Sequence, residues 1–136
     1  MSLSIRRLEP HFWVAPQLFP EDVAAARDQG VALIINNRPD GEAPDQPPAA
    51  EIEAAAKAAG LDYVHIPVRG MPTPEQVEAT RAAILNSEGP VLAFCRTGTR
   101  CINTWSIGER LAGGDRDELV RLGSAAGYDL TQVLPG

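Results

Sequence analysis

Apolar residues fall in short unbroken runs separated by stretches with helical spacing. Phe12 to Ala15 predicts a short first strand. Pro20, Glu21 and Asp22 open a helix, since proline fits a first helical turn and acids suit its positive end; Gly30 closes it. Val31 to Ile35 is apolar without alternation, the pattern of a strand covered on both faces. A polar loop, Asn36-Asn37-Arg38-Pro39-Asp40-Gly41-Glu42, leads through a Pro-rich stretch to Pro48. A helix from about Ala49 to Ala59 follows, ending at Gly60, and then a strand over Asp62 to Pro67. Thr73 and Gln76 have capping-box spacing ahead of a helix running to about Leu85. Gly89-Pro90 turns into another buried strand, Val91 to Phe94, and Ile102 to Leu111 is helical up to Gly113-Gly114. Asp115 and Glu118 repeat the capping pattern before Leu119, and Asp129 to Leu134 predicts a last short helical turn.

Strand and helix alternate without a repeat, which predicts a single three-layer α/β domain over residues 1–136 with a mostly parallel central sheet, residues 1–10 being a poorly ordered start. The Pro-rich stretch leaves the C-terminal end of a central strand, so it predicts a site rim rather than a domain boundary. No apolar run approaches the roughly 20 residues of a membrane span, and Met1 to Pro10 lacks the apolar stretch of a secretory signal. The expectation is a cytoplasmic protein with reduced thiols. A net charge of −6 excludes nucleic-acid binding through a basic surface. His11 and His65 have no Cys or carboxylate at ligand spacing, so neither metal nor cofactor is expected.

Chemistry concentrates in Phe94-Cys95-Arg96-Thr97-Gly98-Thr99-Arg100-Cys101. A buried strand delivers Cys95 into a short polar loop, and Arg100 stands where a helix begins. Loop amides and free helical N–H groups then converge on one point, which suits an anion. The same field lowers the pKa of a thiol placed there. Gly98 permits the backbone to turn its amides inward, and Arg100 offers a planar fork to an oxyanion. Cys95 and Arg100 are therefore the catalytic candidates, with Arg96, Thr97, Gly98, Thr99 and Arg38 as anion contacts. Arg38 either touches the ligand from the rim or pairs with Asp40 or Glu42 to hold its loop. A thiolate inside an anion cradle is the arrangement of covalent group transfer.

Cys-Arg-Thr-Gly-Thr-Arg resembles the six-residue active loop of rhodanese-type sulfurtransferases, Cys-Arg-x-Gly-x-Arg. It also resembles a cysteine-phosphatase loop shortened by one residue. The order from Ile34 through Glu42 and Tyr63-Val64-His65-Ile66-Pro67 to the cysteine loop is similar to dual-specificity phosphatases. Together these features resemble the bacterial phosphatase-like sulfurtransferase family, which also occurs as an accessory domain of beta-lactamase-hydrolase-like proteins. Three departures from phosphatases stand out: Phe94 replaces their usual His, Cys101 their Ser or Thr, and Pro67-Val68-Arg69-Gly70 lacks their acidic residue. Alcohol leaving groups need a proton from such an acid, whereas sulfite and thiolates do not. The expected reaction is therefore sulfane-sulfur transfer through a Cys95 persulfide, from a small anionic or persulfide substrate to a thiol, including a thiol acceptor protein. The alternatives are a phosphatase using Asp40 or Glu42 as general acid, and a non-catalytic anion or persulfide sensor. Cys101 is either a small packed residue or a resolving thiol for Cys95.

Overall fold

A computed structural model describes residues 3–134. In chain order it contains β1 (Arg6–Glu9), β2 (Phe12–Ala15), α1 (Pro20–Asp28), β3 (Leu33–Asn36), α2 (Ala49–Ala59), β4 (Asp62–His65), α3 (Pro74–Asn86), β5 (Val91–Phe94), α4 (Thr99–Leu111) and α5 (Arg116–Ala125). The strands form one five-stranded sheet in the order β1-β2-β5-β3-β4. The β1–β2 pair is antiparallel and the other three pairings are parallel. No helix among the described residues is long and apolar enough to cross a membrane.

Strand periodicity divides the core into two layers. Phe12, Val14, Leu33, Ile35, Val91 and Ala93 turn to one face, where they pack with Ile102 and Trp105 of α4 and Leu119 of α5. Trp13, Ala15, Ile34, Leu92 and Phe94 turn to the other, against Val23 and Ala26 of α1 and Ile52 and Ala56 of α2. Alternation is hidden in the sequence because both faces are apolar. Parallel pairing also brings the C-terminal ends of β2, β3, β4 and β5 to one end of the sheet, and the loops that follow them gather there.

Three expectations change. The start is not loose: Arg6–Glu9 forms β1, an edge strand with a bulge between Arg7 and Glu9. Its sequence gives little warning, since only Leu8 is buried, while Arg6 and Arg7 lie outward, with Arg7 over the Trp13 ring at 4.3 Å. Met1 and Ser2 lie outside the described residues. The strand expected over Val31 to Ile35 runs over Leu33–Asn36 instead, since its pairing begins at Leu33 and reaches Asn36, opposite His65 of β4 and Phe94 of β5. Helix α4 begins at Thr99, ahead of its first apolar residue, because the Gly98 carbonyl already accepts from the Ile102 amide at 3.0 Å. The expected last helical turn is a single one, in which the Val133 and Leu134 amides donate to the Leu130 carbonyl at 3.1 and 3.0 Å.

Candidate active site

The cysteine loop joins the central strand to the start of α4. Leaving β5, Cys95 continues the parity of Val91 and Ala93 and so faces the α4 side of the sheet. Gly98 caps α4 in the left-handed region, φ +90°, where residues other than glycine are strained. Its N–H donates to the Cys95 Sγ at 3.1 Å. A Cβ at this position would lie 2.3 Å from the Tyr128 hydroxyl, which itself donates to the Thr97 carbonyl at 2.9 Å. Close approach and backbone angle both demand glycine here. From the β2–α1 connection, the Gln17 amide donates to the Arg96 carbonyl at 3.3 Å and braces the other side of the loop.

Cys95 is lowered from an ordinary thiol value to about 5. The largest cause is a hydrogen bond from the Cys101 thiol, opposed by burial and reinforced by the N–H groups of Cys101, Thr97 and Arg100. At pH 7 this leaves about a hundredfold excess of thiolate. Cys101 moves the opposite way: burial first, then the neighbouring Cys95 sulfur, push its thiol well above the ordinary value. One sulfur is thus held as the anion and the other as its proton-bearing donor. Both cysteines are free thiols, and both are buried. Cys95 is buried, with only 1% of it exposed, at the floor of the loop.

Arg100 stands beside the sulfur with one edge already occupied. Its Nη1 and Nη2 donate to the two oxygens of Glu42 at 2.8 Å each, and Nη1 also reaches the Val68 carbonyl at 2.8 Å. Of its five donors, the adjacent pair on Nε and Nη2 remains, a fork matching two oxygens of an incoming oxyanion. Glu42 also accepts from Arg38 Nε at 2.9 Å, while Arg38 Nη1 donates to Gln17 Oε1 at 2.9 Å. Held by Arg100 first, and by Arg38 after the opposing effect of burial, the Glu42 carboxyl falls to about 2.

The predicted residues divide accordingly. Cys95, Thr97, Gly98, Arg100 and Cys101 make up the cradle. The Thr99 amide turns instead to the Thr97 hydroxyl at 3.4 Å, and the two threonine hydroxyls bond each other at 3.0 Å. Arg96 is exposed and borders a side cleft. Arg38 is buried and pairs with Glu42, so the loop-holding alternative describes its side-chain contacts. Of the two candidate general acids, Glu42 is held by Arg100 and Arg38 with its carboxyl lowered to about 2, and the Asp40 Oδ1 accepts from the Ala49 amide at 2.8 Å at the start of α2. Tyr128, Gln17 and the Val68 carbonyl escaped the sequence reading. Their contacts with the loop and with Arg100 span long sequence separations, and no local pattern marks them.

The profile for the phosphatase-like domain of beta-lactamase hydrolase-like proteins matches residues 4–112. The beta-lactamase hydrolase-like protein of Agrobacterium fabrum is 38% identical over 126 residues, 91% of this chain but 29% of that protein, so the chain spans less than a third of its relative. A crystal structure of a candidate phosphatase from Neisseria meningitidis Z2491 superposes with a TM-score of 0.84 at 38% identity, covering 94% of this chain and 92% of that one. Tk-PTP in its active form superposes with a TM-score of 0.69 at 21% identity, covering 96% and 90%, which shows the fold alone. The architecture is that of the cysteine phosphatases.

Proposed function

Since the chain belongs to the family of phosphatase-like domains of beta-lactamase hydrolase-like proteins, we propose that it turns this scaffold to sulfane-sulfur transfer. The observation that carries the reading is the state of the two carboxyls on the loop beside the cradle. Glu42 is ionised and Asp40 caps a helix, so neither offers the proton that an alkoxide or phenoxide leaving group requires. Arg69, in the segment that carries the phosphatase acid, is exposed. The six-residue loop, of rhodanese type, supports the same reading.

In the donor step the Cys95 thiolate attacks the outer sulfur of thiosulfate. The new bond is sulfur to sulfur, the old sulfur–sulfonate bond breaks, and its electron pair leaves on sulfite. The persulfide so formed carries its negative charge on the terminal sulfur, among the loop amides. The free fork of Arg100 binds the donor's oxygens. In the acceptor step the incoming thiol gives its proton to that terminal sulfur, the resulting thiolate attacks the same sulfur, and the electron pair of the Cys95–sulfur bond returns to Cys95, so that the acceptor leaves as a persulfide. A reducing compartment such as the cytoplasm keeps both cysteines in the free state that this cycle needs.

The phosphatase reading is favoured by one observation, the similarity to the Neisseria structure over nearly the full length of both chains. The deciding experiment assays thiosulfate:cyanide sulfur transfer beside p-nitrophenyl phosphate hydrolysis, each with Cys95→Ser as control. Sulfur transfer lost in Cys95→Ser, with a mass gain of about 32 Da on the wild type after thiosulfate, is expected. Phosphate release without sulfur transfer reverses the order, and neither activity leaves the sensor.

A further inference from the structure

Beside the cradle lies a cleft of about 240 Å³, bordered by Gln17, Phe19, Arg38, Asp45, Gln46 and Arg96. It shares Arg96 with the cysteine loop and Arg38 with the Glu42 network, so it adjoins the loop without being part of the cradle. Its volume falls below the roughly 300–1,000 Å³ of sites for drug-sized ligands, and suits a group of amino-acid size.

The hydrogen bonds already made determine what the cleft can recognise. Gln17 spends its amide on the Leu18 carbonyl and on Arg38. Gln46 spends its own on the Pro39 carbonyl and the Glu42 amide. Arg38 has a side chain only 5% exposed, with Nε and Nη1 taken by Glu42 and Gln17, while its Nη2 has no protein partner among the described residues. That nitrogen is not sealed from solvent, so it is a donor open to a ligand entering from the cleft that Arg38 borders. Arg96 and Asp45 are both exposed and make no ion pair among the described residues. The groups left free are therefore the Arg96 guanidinium, the Asp45 carboxylate and one nitrogen of the otherwise paired Arg38, with the half-buried Phe19 ring beside them.

We infer that this cleft binds the amino-acid zwitterion of a small thiol or its persulfide, its carboxylate between Arg38 and Arg96 and its ammonium against Asp45. The inference rests on the sulfur-transfer reading for the meaning of the thiol, but not for the existence of the subsite. A carboxylate alone would gain from the two arginines and be repelled by Asp45; an amine alone would meet the reverse balance. A zwitterion satisfies all three groups, and its sulfur then lies toward the loop that holds Cys95.

Two measurements test it. With thiosulfate as donor, kcat/KM is compared across acceptor thiols: cysteine and glutathione carry both charges, 3-mercaptopropionate the carboxylate, cysteamine the amine, and 2-mercaptoethanol neither. The wild type is expected to prefer the first two. Arg96→Ala should reduce the preference for carboxylate-bearing over neutral thiols by about tenfold or more, and Asp45→Asn should reduce the preference for amine-bearing ones. Separately, calorimetric titration with S-methylglutathione and S-methylcysteine, which cannot accept sulfur, should show binding to the wild type that Arg96→Ala weakens. Equal loss for every thiol in Arg96→Ala, or no preference in the wild type, overturns the subsite. Binding of the S-methyl compounds with no sulfur transfer to Cys95 overturns the sulfur-transfer reading and leaves the subsite standing. Sulfur transfer with no such binding does the opposite.

Discussion

Two loops meet at the C-terminal end of the sheet, and they are built on opposite principles. The cysteine loop is made of backbone: the Gly98 N–H, the N–H groups of Thr97, Arg100 and Cys101, and the first turn of α4 all act on one sulfur. The stretch from Asn37 to Pro48 is made of side chains. Gln46 ties Pro39 to Glu42, Asp40 ties the stretch to α2, and Glu42 joins Arg38 to Arg100. Backbone dipoles need no particular pH and little side-chain entropy, so they suit a charge that must be present in every turnover. Side-chain carboxylates and guanidiniums can orient and discriminate, but each depends on its partner staying charged. In the proposed reaction the first loop supplies reactivity, and the second aims the arginine that binds the donor.

The largest expected effects fall on the backbone-built loop. Cys95→Ser should lower turnover by about a thousandfold or more in whichever transfer is observed, with no persulfide detectable by intact mass. Gly98→Ala comes next. Its new methyl would lie 2.3 Å from the Tyr128 hydroxyl, at φ +90°, so the tyrosine must leave the Thr97 carbonyl or the loop must move. Misplacing the cradle by an ångström should cost about a hundredfold in turnover. Adding Tyr128→Phe to Gly98→Ala removes the closest clash and should recover part of the loss. A double-mutant cycle on turnover reads that coupling; strictly additive losses would show that Tyr128 does not shape the loop.

The difference between the loops also explains what could be read from the sequence. Strands β2 and β5 and helix α2 have the bounds expected of them, because apolar runs and Gly or Pro punctuation are local signals. Cys95, Gly98 and Arg100 were legible because a backbone cradle imposes a fixed spacing on consecutive residues. Glu42 stands out in the sequence as a partner for Arg38, or as an acid in the phosphatase alternative, and neither reading places it on Arg100. Its position beside Arg100 depends on tertiary contacts with α4, which no spacing within Asn37 to Pro48 reveals. Tyr128 and Gln17 bear on the loop from either side with no motif of their own, and β1 was missed because an edge strand needs only one inward apolar residue.

The side-chain loop breaks more gently, and with a pH signature. Glu42→Gln keeps the shape of the side chain but leaves the buried Arg38 without a carboxylate. Because Glu42 itself is a quarter exposed, the cost in stability should be about 1–2 kcal/mol rather than the larger values of fully buried pairs. The folded carboxyl titrates near 2 against about 4.3 in an unfolded chain. Its contribution is therefore complete above about pH 4.5 and is lost as pH falls through 2. Urea unfolding of the two proteins should show their largest gap at neutral pH, with the curves converging below about pH 4. For activity, a freed Arg100 should raise KM for the anionic donor more than it lowers kcat.

The smallest effect belongs to Cys101, where the two modes of construction overlap. Its thiol is the largest single cause of the low Cys95 pKa, ahead of any one amide. Cys101→Ala removes that donor but leaves the amides of the loop, so the Cys95 pKa should rise from about 5 while remaining below that of a free thiol. At pH 7 most of the sulfur is still thiolate and turnover should change little; at pH 5 to 6 the variant should fall behind. Cys101→Ser, which returns a hydroxyl donor, should restore the acidic limb. Ultraviolet absorbance of the thiolate against pH follows the shift independently of turnover. If the alanine and serine variants gave one and the same curve as wild type, the amides alone would hold the charge, and the backbone would account for all of the sulfur's acidity.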